Sequence, residues 1–151
     1  MKLEPYSRIA QYYETDQMGV VHHSNYIRWF EEARVDALIQ CGLSYKRMEE
    51  MGVMSPLRSV SCTYVRPVRF EDRVLVELRI EDFVSTHGLK FVTKYRITNA
   101  DTGEVVTTGE TSHCITDMNI KLVRCERVAP AVYEAFKALE ELSDVASATA
   151  T

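Results

Sequence analysis

Residues 12–34 contain the side chains whose types and spacing are best suited to chemistry. Asp16 lies in a polar turn, Gly19 bends the chain, and His23 follows at the predicted start of an amphipathic helix. The first backbone N–H groups of a helix have no partner within the helix and attract negative charge. A carboxylate that faces such donors can attack a carbonyl group while the donors hold the oxyanion. The stretch therefore predicts a site for attack on a carbonyl.

Two elements must position this turn. The pattern predicts a strand over residues 9–13 and, after the turn, a helix that Ser24 or Asn25 caps. Apolar residues recur in this helix at spacings of three and four, which predicts a stripe facing a core. The stripe consists of Tyr26, Phe30, Ala33, Ala37 and Cys41, and Gly42 is expected to end the helix.

Alternating apolar and polar residues predict four further strands, over residues 60–64, 74–80, 89–97 and 105–116. Turns at residues 87–88 and 101–103 separate consecutive strands, as hairpin loops do. A short helix is expected over residues 44–51. A last helix over residues 130–142 should pack on the outside, and residues 143–151 should form a disordered tail. This layout predicts an α+β fold with a single domain over residues 1–142.

Composition narrows the class of protein. The chain has 151 residues, of which 46% are hydrophobic and 26% charged, as in ordinary globular domains. A net charge of -4 argues against a nucleic-acid binder. No apolar run approaches the ~18 residues of a membrane span, and the first residues lack a signal region, so a cytoplasmic location is expected. The cysteines at positions 41, 62, 114 and 125 are too scattered for a zinc or redox motif and should be buried, with no metal site.

Three motifs together resemble a known family. They read YETD over residues 13–16, GVVHHSNY over residues 19–26 and FEEAR over residues 30–34, and YVRP over residues 64–67 followed by Asp72 supports them. Over roughly residues 8–116 the chain resembles the hotdog-fold acyl-CoA thioesterases of the 4-hydroxybenzoyl-CoA thioesterase type, in the branch of the tol-pal-associated thioesterases. The resemblance implies a five-stranded antiparallel sheet wrapped around one long central helix. It also implies an edge-to-edge homodimer with the active site at the interface, and dimers of this kind commonly pair into homotetramers.

The resemblance also implies roles for individual residues. Asp16 falls on the catalytic aspartate, and His23 falls on the position whose backbone N–H polarises the thioester carbonyl. Contacts with the acyl-CoA substrate are expected from five residues: Gly19, Ser24, Tyr26, Lys90 and Arg124. The last two are candidates for binding the CoA phosphates because Lys90 lies beside a predicted hairpin turn and Arg124 follows the last predicted strand; the alternative is that each is a solvated surface charge. No cofactor is expected, because CoA is part of the substrate.

Thioester chemistry fits this residue set. A thiol has a pKa near ~8.5, so it leaves as a thiolate without a strong general acid. The carboxylate of Asp16 can attack the carbonyl directly or activate a water molecule, and the sequence leaves both routes open. It also leaves open whether the imidazole of His23 takes part in addition to the backbone.

Other roles for these residues have to be weighed. Asp16 could serve only as a turn residue with an Asx-type hydrogen bond. His22 is expected to be a surface residue. Glu31 and Glu32 could carry a catalytic carboxylate on the helix, although charge pairing with Arg28 and Arg34 explains them better.

Two other functions remain possible on the same fold. The chain could bind acyl-CoA or an acyl carrier protein without catalysis, although the presence of Asp16 argues against it. A hotdog hydratase would carry an Asp-x-Asn-Pro-x-His pattern, and residues 16–22 have neither the Asn-Pro pair nor the spacing.

Overall fold

The computed structural model describes the backbone of residues 1–149 and the side chains of residues 1–144. Nine helices and strands follow one another in this part of the chain: β1 Tyr6–Ile9, α1 His23–Gln40, α2 Tyr45–Glu50, β2 Leu57–Tyr64, β3 Arg73–Glu81, β4 Lys90–Asn99, β5 Val105–Cys114, α3 Cys125–Val128 and α4 Pro130–Thr149, with 3-10 turns at Tyr12–Glu14 and Val84–Thr86. None of the helices in these residues is long and apolar enough to cross a membrane.

The strands form one five-stranded sheet in the order β1-β3-β4-β5-β2, and every neighbouring pair is antiparallel. This confirms the predicted α+β class and the five-stranded antiparallel sheet. The alternating residues of β4 explain which face is buried, since Phe91, Tyr95 and Ile97 are covered and Lys94 is exposed. The helix α1 lies on the covered face, where Phe30 stacks on Tyr95 with ring centroids 4.1 Å apart.

A glycine in β5 lets α1 approach the sheet closely. A Cβ atom at Gly109 would lie 2.4 Å from the ring of Phe30 and 2.9 Å from the carbonyl oxygen of Ser61. Real Cβ atoms do not approach other atoms so closely, so any other residue at position 109 would push the helix or the ring away.

The last helix packs on the same face of the sheet as α1. Phe136 of α4 contacts Phe91 at 5.2 Å, and Phe91 shares its face of β4 with Tyr95. Leu38 of α1 belongs to the same buried cluster as Phe136. The prediction that this helix packs on the outside is therefore wrong, because its apolar stripe completes the core beyond the end of α1.

The predicted boundaries fail where distant contacts decide them. The strand predicted over residues 9–13 is wrong, since β1 ends at Ile9 and residues 12–14 form a 3-10 turn. The end predicted at residue 142 for the last helix is also wrong. The helix continues to Thr149, and the hydroxyl of the buried Ser143 accepts a hydrogen bond of 3.0 Å from the N–H of Ile80. A disordered tail therefore does not begin at residue 143, and residues 150–151 of the predicted tail lie outside the described residues.

Candidate active site

A buried carboxylate anchors the turn that carries Asp16. Glu14 is 3% exposed and accepts three hydrogen bonds: from Nη2 of Arg8 at 3.0 Å, from the N–H of Gln11 at 2.8 Å and from Nε1 of Trp29 at 2.9 Å. The bond with Gln11 is half of a capping box, which folds residues 12–14 into the 3-10 turn. The turn is thereby tied to β1 on one side and to α1 on the other.

Backbone contacts close the loop between this turn and the helix. The carbonyl oxygen of Glu14 accepts hydrogen bonds from the N–H of His22 at 2.8 Å and from Nδ2 of Asn25 at 2.9 Å. Thr15 and Val21 pair in a β-bridge. Both ends of the loop are therefore fixed, and Asp16 is held beside the start of α1.

Asp16 sits at the beginning of a tight turn. Its N–H donates to the carbonyl oxygen of Val20 and its carbonyl oxygen accepts from the N–H of Gly19, both at 2.9 Å. Gly19 has a φ of 79°, a conformation that glycine adopts without strain. The carboxylate Oδ1 accepts the N–H of Met18 at 2.8 Å, so the Asx-type bond is present. Its Oδ2 has no hydrogen bond within the described part of the chain and is available for chemistry.

The helix start differs from the prediction. His22 is half-buried and caps α1, because its Nδ1 accepts the N–H of Ser24 at 3.2 Å and lies 2.8 Å from the Ser24 hydroxyl. The predictions that His22 is a surface residue and that Ser24 or Asn25 caps the helix are therefore wrong. Ser24 instead bonds the capping imidazole, and Asn25 is buried against the loop.

His23 is the first residue of α1, and its side chain is exposed. Its carbonyl oxygen accepts the hydroxyl of Tyr64 at 2.9 Å. Its N–H makes no hydrogen bond within residues 1–149, as expected for a first-turn donor. The position therefore offers a free N–H donor in the orientation that a helix start imposes.

Two tyrosine rings pack beside the start of α1. The ring of Tyr64 contacts those of Tyr26 and His23, with centroids 5.0 Å and 6.5 Å away. Burial raises the pKa of Tyr26, and the negative charge of Asp16 adds to the shift, which reflects how near the two groups lie. Burial and the neighbouring Cys62 also raise the pKa of Tyr64. Both phenols therefore stay neutral near pH 7.

The two predicted phosphate ligands lie far from Asp16 in the same chain. Lys90 begins β4 opposite Cys114, and Arg124 precedes Cys125, whose N–H bonds to the carbonyl oxygen of Gly88. They lie near the Leu57 end of β2, whereas His23 contacts its Tyr64 end. Seven residues of strand separate these ends, or about 24 Å. One chain therefore does not bring the predicted substrate contacts together.

Arg124 does line an open pocket of about 530 Å³, together with Val123, Arg127 and Val128. The sequence analysis does not identify Arg127 as a pocket residue. The one available signal is its position three residues after Arg124. Gly19, Ser24, Tyr26, Lys90 and Arg124 stay predictions as substrate contacts. Tyr26 is 3% exposed, so its own side chain is not accessible to a ligand in this arrangement.

One of the two alternative carboxylates on α1, Glu32, has partners on β1. Oε1 of Glu32 accepts the hydroxyl of Tyr6 and Nε of Arg8, both at 2.9 Å. The predicted pairing of Glu32 with arginines of its own helix is therefore wrong, because β1 runs alongside α1 and supplies the cation. Within residues 1–144 no three His, Cys, Asp or Glu side chains are placed to hold a metal ion.

The chain is similar to known proteins over most of its length. The sequence profile of the thioesterase-like superfamily matches residues 11–141. A protein of Bacillus subtilis (strain 168), YneP, provisionally named an acyl-CoA thioesterase, is 33% identical over 129 residues, which covers 85% of this chain and 91% of YneP.

Two solved structures resemble the whole fold. A DHNA-CoA thioesterase from Staphylococcus aureus superimposes with a TM-score of 0.83 at 33% identity, covering 97% of this chain and 96% of that one. The protein TT1821 from Thermus thermophilus gives a TM-score of 0.79 at 33% identity, covering 90% and 98%.

Proposed function

Because the chain belongs to the thioesterase-like superfamily, we propose that it hydrolyses the thioester bond of an acyl-CoA to give the free acid and CoA. The observation that carries the proposal is the free Oδ2 of Asp16, held on a fixed loop beside the unpartnered N–H of His23. Within the superfamily, the motifs of residues 13–34 favour the 4-hydroxybenzoyl-CoA thioesterase type and its tol-pal-associated branch.

The chemistry follows from these two groups. Oδ2 of Asp16 attacks the thioester carbon, the N–H of His23 donates to the developing oxyanion, and the C–S bond breaks to release the CoA thiolate. Water then hydrolyses the mixed anhydride and restores the carboxylate. Alternatively, Asp16 accepts a proton from the water that attacks the thioester. Neither route needs a metal or a cofactor, because a thiolate leaves without a strong acid.

An edge-to-edge homodimer completes the site. The strand β2 is an eight-residue edge of the sheet, with Leu57, Val60 and Tyr64 each more than 40% exposed. Such an edge invites pairing with another strand. Two copies of β2 related by a two-fold axis run in opposite directions, and if they overlap along their whole length, the end that carries Asp16 of one subunit lies beside Lys90 and Arg124 of the partner subunit. This arrangement joins the phosphate ligands to the catalytic loop, and two such dimers can form a homotetramer.

The test is thiol release from a panel of thioesters with Asp16→Asn. The panel contains acetyl-, hexanoyl-, palmitoyl- and benzoyl-CoA and the same groups on acyl carrier protein, which also identifies the acyl group and the carrier. Turnover should fall by at least ~100-fold, because the reactive charge is lost while the shape is kept. Asp101→Asn, in an exposed hairpin turn, is the matched control and should not change turnover. Unchanged turnover in folded Asp16→Asn would refute the assignment, and binding without thiol release by the wild type would favour a non-catalytic binding protein.

The role of His23 is tested with two substitutions. His23→Ala keeps the backbone donor and should retain most activity if only that donor acts. His23→Pro deletes the donor and should lower turnover by ~100-fold or more. Proline is well tolerated here, because position 23 is the first of the helix and His22 already has an extended backbone, with φ -63° and ψ 140°. A folded His23→Pro variant with normal turnover would remove this N–H from the mechanism.

A further inference from the structure

Two clusters of exposed, large apolar side chains lie at opposite ends of β2. The catalytic-loop cluster comprises Tyr12, Tyr13, Met18, Tyr64, Val65 and Phe70, and the tip cluster comprises Met118, Ile120, Leu122 and Val128. The first lies at the Tyr64 end, around Asp16 and His23. The second lies at the Leu57 end, because Thr116 bridges to both Met54 and Leu122. Exposed apolar groups gathered in this way mark a surface that binds something.

The loop that carries the tip cluster is held in a fixed shape. Oδ1 of Asp117 accepts the N–H groups of Asn119 at 2.8 Å and Lys121 at 3.1 Å, and the N–H of Asp117 donates to the carbonyl oxygen of Lys121 at 2.9 Å. These bonds present Met118 and Ile120 outward at the apex of the loop. The loop therefore has a hydrogen-bonded conformation with two exposed apolar side chains.

Ile120 is unfavourable in the isolated chain in two ways. Its side chain is 71% exposed, and its backbone has a φ of 62°. A left-handed conformation is strained for a β-branched residue. Residues with strained backbones are concentrated at functional sites. The other non-glycine residues with positive φ in the described chain are Glu71, Asp82 and His87, none of which is β-branched. The strain and the exposure of Ile120 are therefore independent signs of a contact outside the chain.

The symmetry of β2 identifies the contact. In a two-fold pair of antiparallel edge strands that overlap along their whole length, the Leu57 end of one strand lies at the Tyr64 end of the other. Resting on the proposed dimer and activity, we infer that the tip loop of each subunit packs over the catalytic loop of its partner. There Met118 and Ile120 of the partner subunit cover the acyl group bound beside Asp16.

The same tip cannot serve the site of its own chain. The two clusters lie at the two ends of β2, about 24 Å apart along the strand. In the dimer, each cluster covers the exposed apolar surface of the other, which removes both from water. The tip also excludes water from the carbonyl that Asp16 attacks. The site is therefore suited to an apolar acyl group whose outer wall comes from the second subunit.

A single substitution tests the contact. Asparagine tolerates the left-handed conformation, so Ile120→Asn keeps the loop while removing the apolar side chain. We expect kcat/KM to fall by at least about tenfold on the best acyl-CoA of the panel, as the burial of one large aliphatic side chain would predict. The dimer dissociation constant, measured by sedimentation, should rise. Ile39→Asn is the matched control, since Ile39 is 54% exposed at the end of α1, and both quantities should stay unchanged.

Hybrid dimers decide which subunit the tip serves. Asp16→Asn and Ile120→Asn chains with different tags are produced together, and the mixed dimer is purified through both tags. If the tip acts on the partner, one of the two sites is intact, and the hybrid should show about half of the wild-type activity. If the tip acts within its own chain, neither site is intact, and the hybrid should show no more than half of the activity of Ile120→Asn.

Each remaining outcome is informative. Unchanged kinetics and dimer affinity in Ile120→Asn overturn the inference, and so does a hybrid without recovered activity. Loss of binding to vesicles of anionic lipid, with an unchanged dimer, would assign the tip to a membrane surface instead and also overturn it. If the wild type cleaves no thioester, the proposed function fails. The inference is then decided by the dissociation constant alone, which must rise for Ile120→Asn and not for Ile39→Asn.

Discussion

Replacing Glu14 should separate the positioning of the catalytic loop from its chemistry. Glu14→Ala removes the acceptor of three hydrogen bonds and leaves Nε1 of Trp29, whose residue is fully buried, without a partner. Arg8 keeps its second partner, Glu32, at 2.9 Å. An unsatisfied buried donor costs roughly 1–3 kcal/mol, and breaking a buried ion pair costs roughly 3–5 kcal/mol. We therefore expect a loss of about 3–5 kcal/mol in the free energy of unfolding, measured by urea denaturation.

The catalytic effect of Glu14 should exceed what unfolding explains. Asp16 lies two residues beyond Glu14, and a displacement of about 1 Å in a reacting group can lower the rate by ~100-fold. Glu14→Gln, which keeps the size and one acceptor oxygen, should lose less stability than Glu14→Ala. In folded Glu14→Gln at low temperature, kcat should fall at least about tenfold with little change in KM. Glu32→Gln is the matched control, since it also contacts Arg8 but not the loop, and should keep kcat. A folded Glu14→Gln enzyme with the wild-type kcat would refute the positioning role.

The remaining predictions concern the core. Burial, with a smaller effect of Arg34, lowers the pKa of His113 from 6.5 to about 4, so the unfolded chain binds more protons between these pH values. The free energy of unfolding, measured by urea denaturation, should be highest above pH 6.5 and fall by about 3 kcal/mol as the pH drops to 4. His113→Gln should remove most of this pH dependence. Gly109→Ala should destabilise the chain by about 1–3 kcal/mol or more, because its Cβ would lie 2.4 Å from Phe30. A double-mutant cycle with Phe30→Leu should show strong coupling, and additive losses would contradict the clash.

The sequence predicts best where the signal is local. In β3 and β4, apolar and polar residues alternate because one face of each strand is buried. This alternation can be read from neighbouring residues in the sequence. The strand predicted over residues 9–13 is wrong because Glu14 is buried against Arg8 and Trp29, and Trp29 lies 15 residues away on α1. One local signal was available there, since residues 11 and 14 have the spacing of a capping box.

The helix cap shows a different limit. Serine and asparagine are the stronger capping types, yet the cap is His22. The fold decides this choice, because the N–H of His22 and the side chain of Asn25 both bond the carbonyl oxygen of Glu14. The helix can therefore begin only at His23. Propensity ranks residues one at a time, whereas the start of α1 is fixed by the loop that closes onto it.

The exposed apolar clusters bear on what stability means for this protein. A chain that leaves Met18, Tyr64, Met118 and Ile120 in water gains less from folding alone than its buried core suggests. If these clusters meet between subunits, dimer formation supplies part of the stabilisation, and the free energy of unfolding depends on protein concentration. The same contact covers Asp16, so dissociation would remove stability and activity together. The strained backbone of the loop tip is then explained by the contact that the tip makes in the dimer.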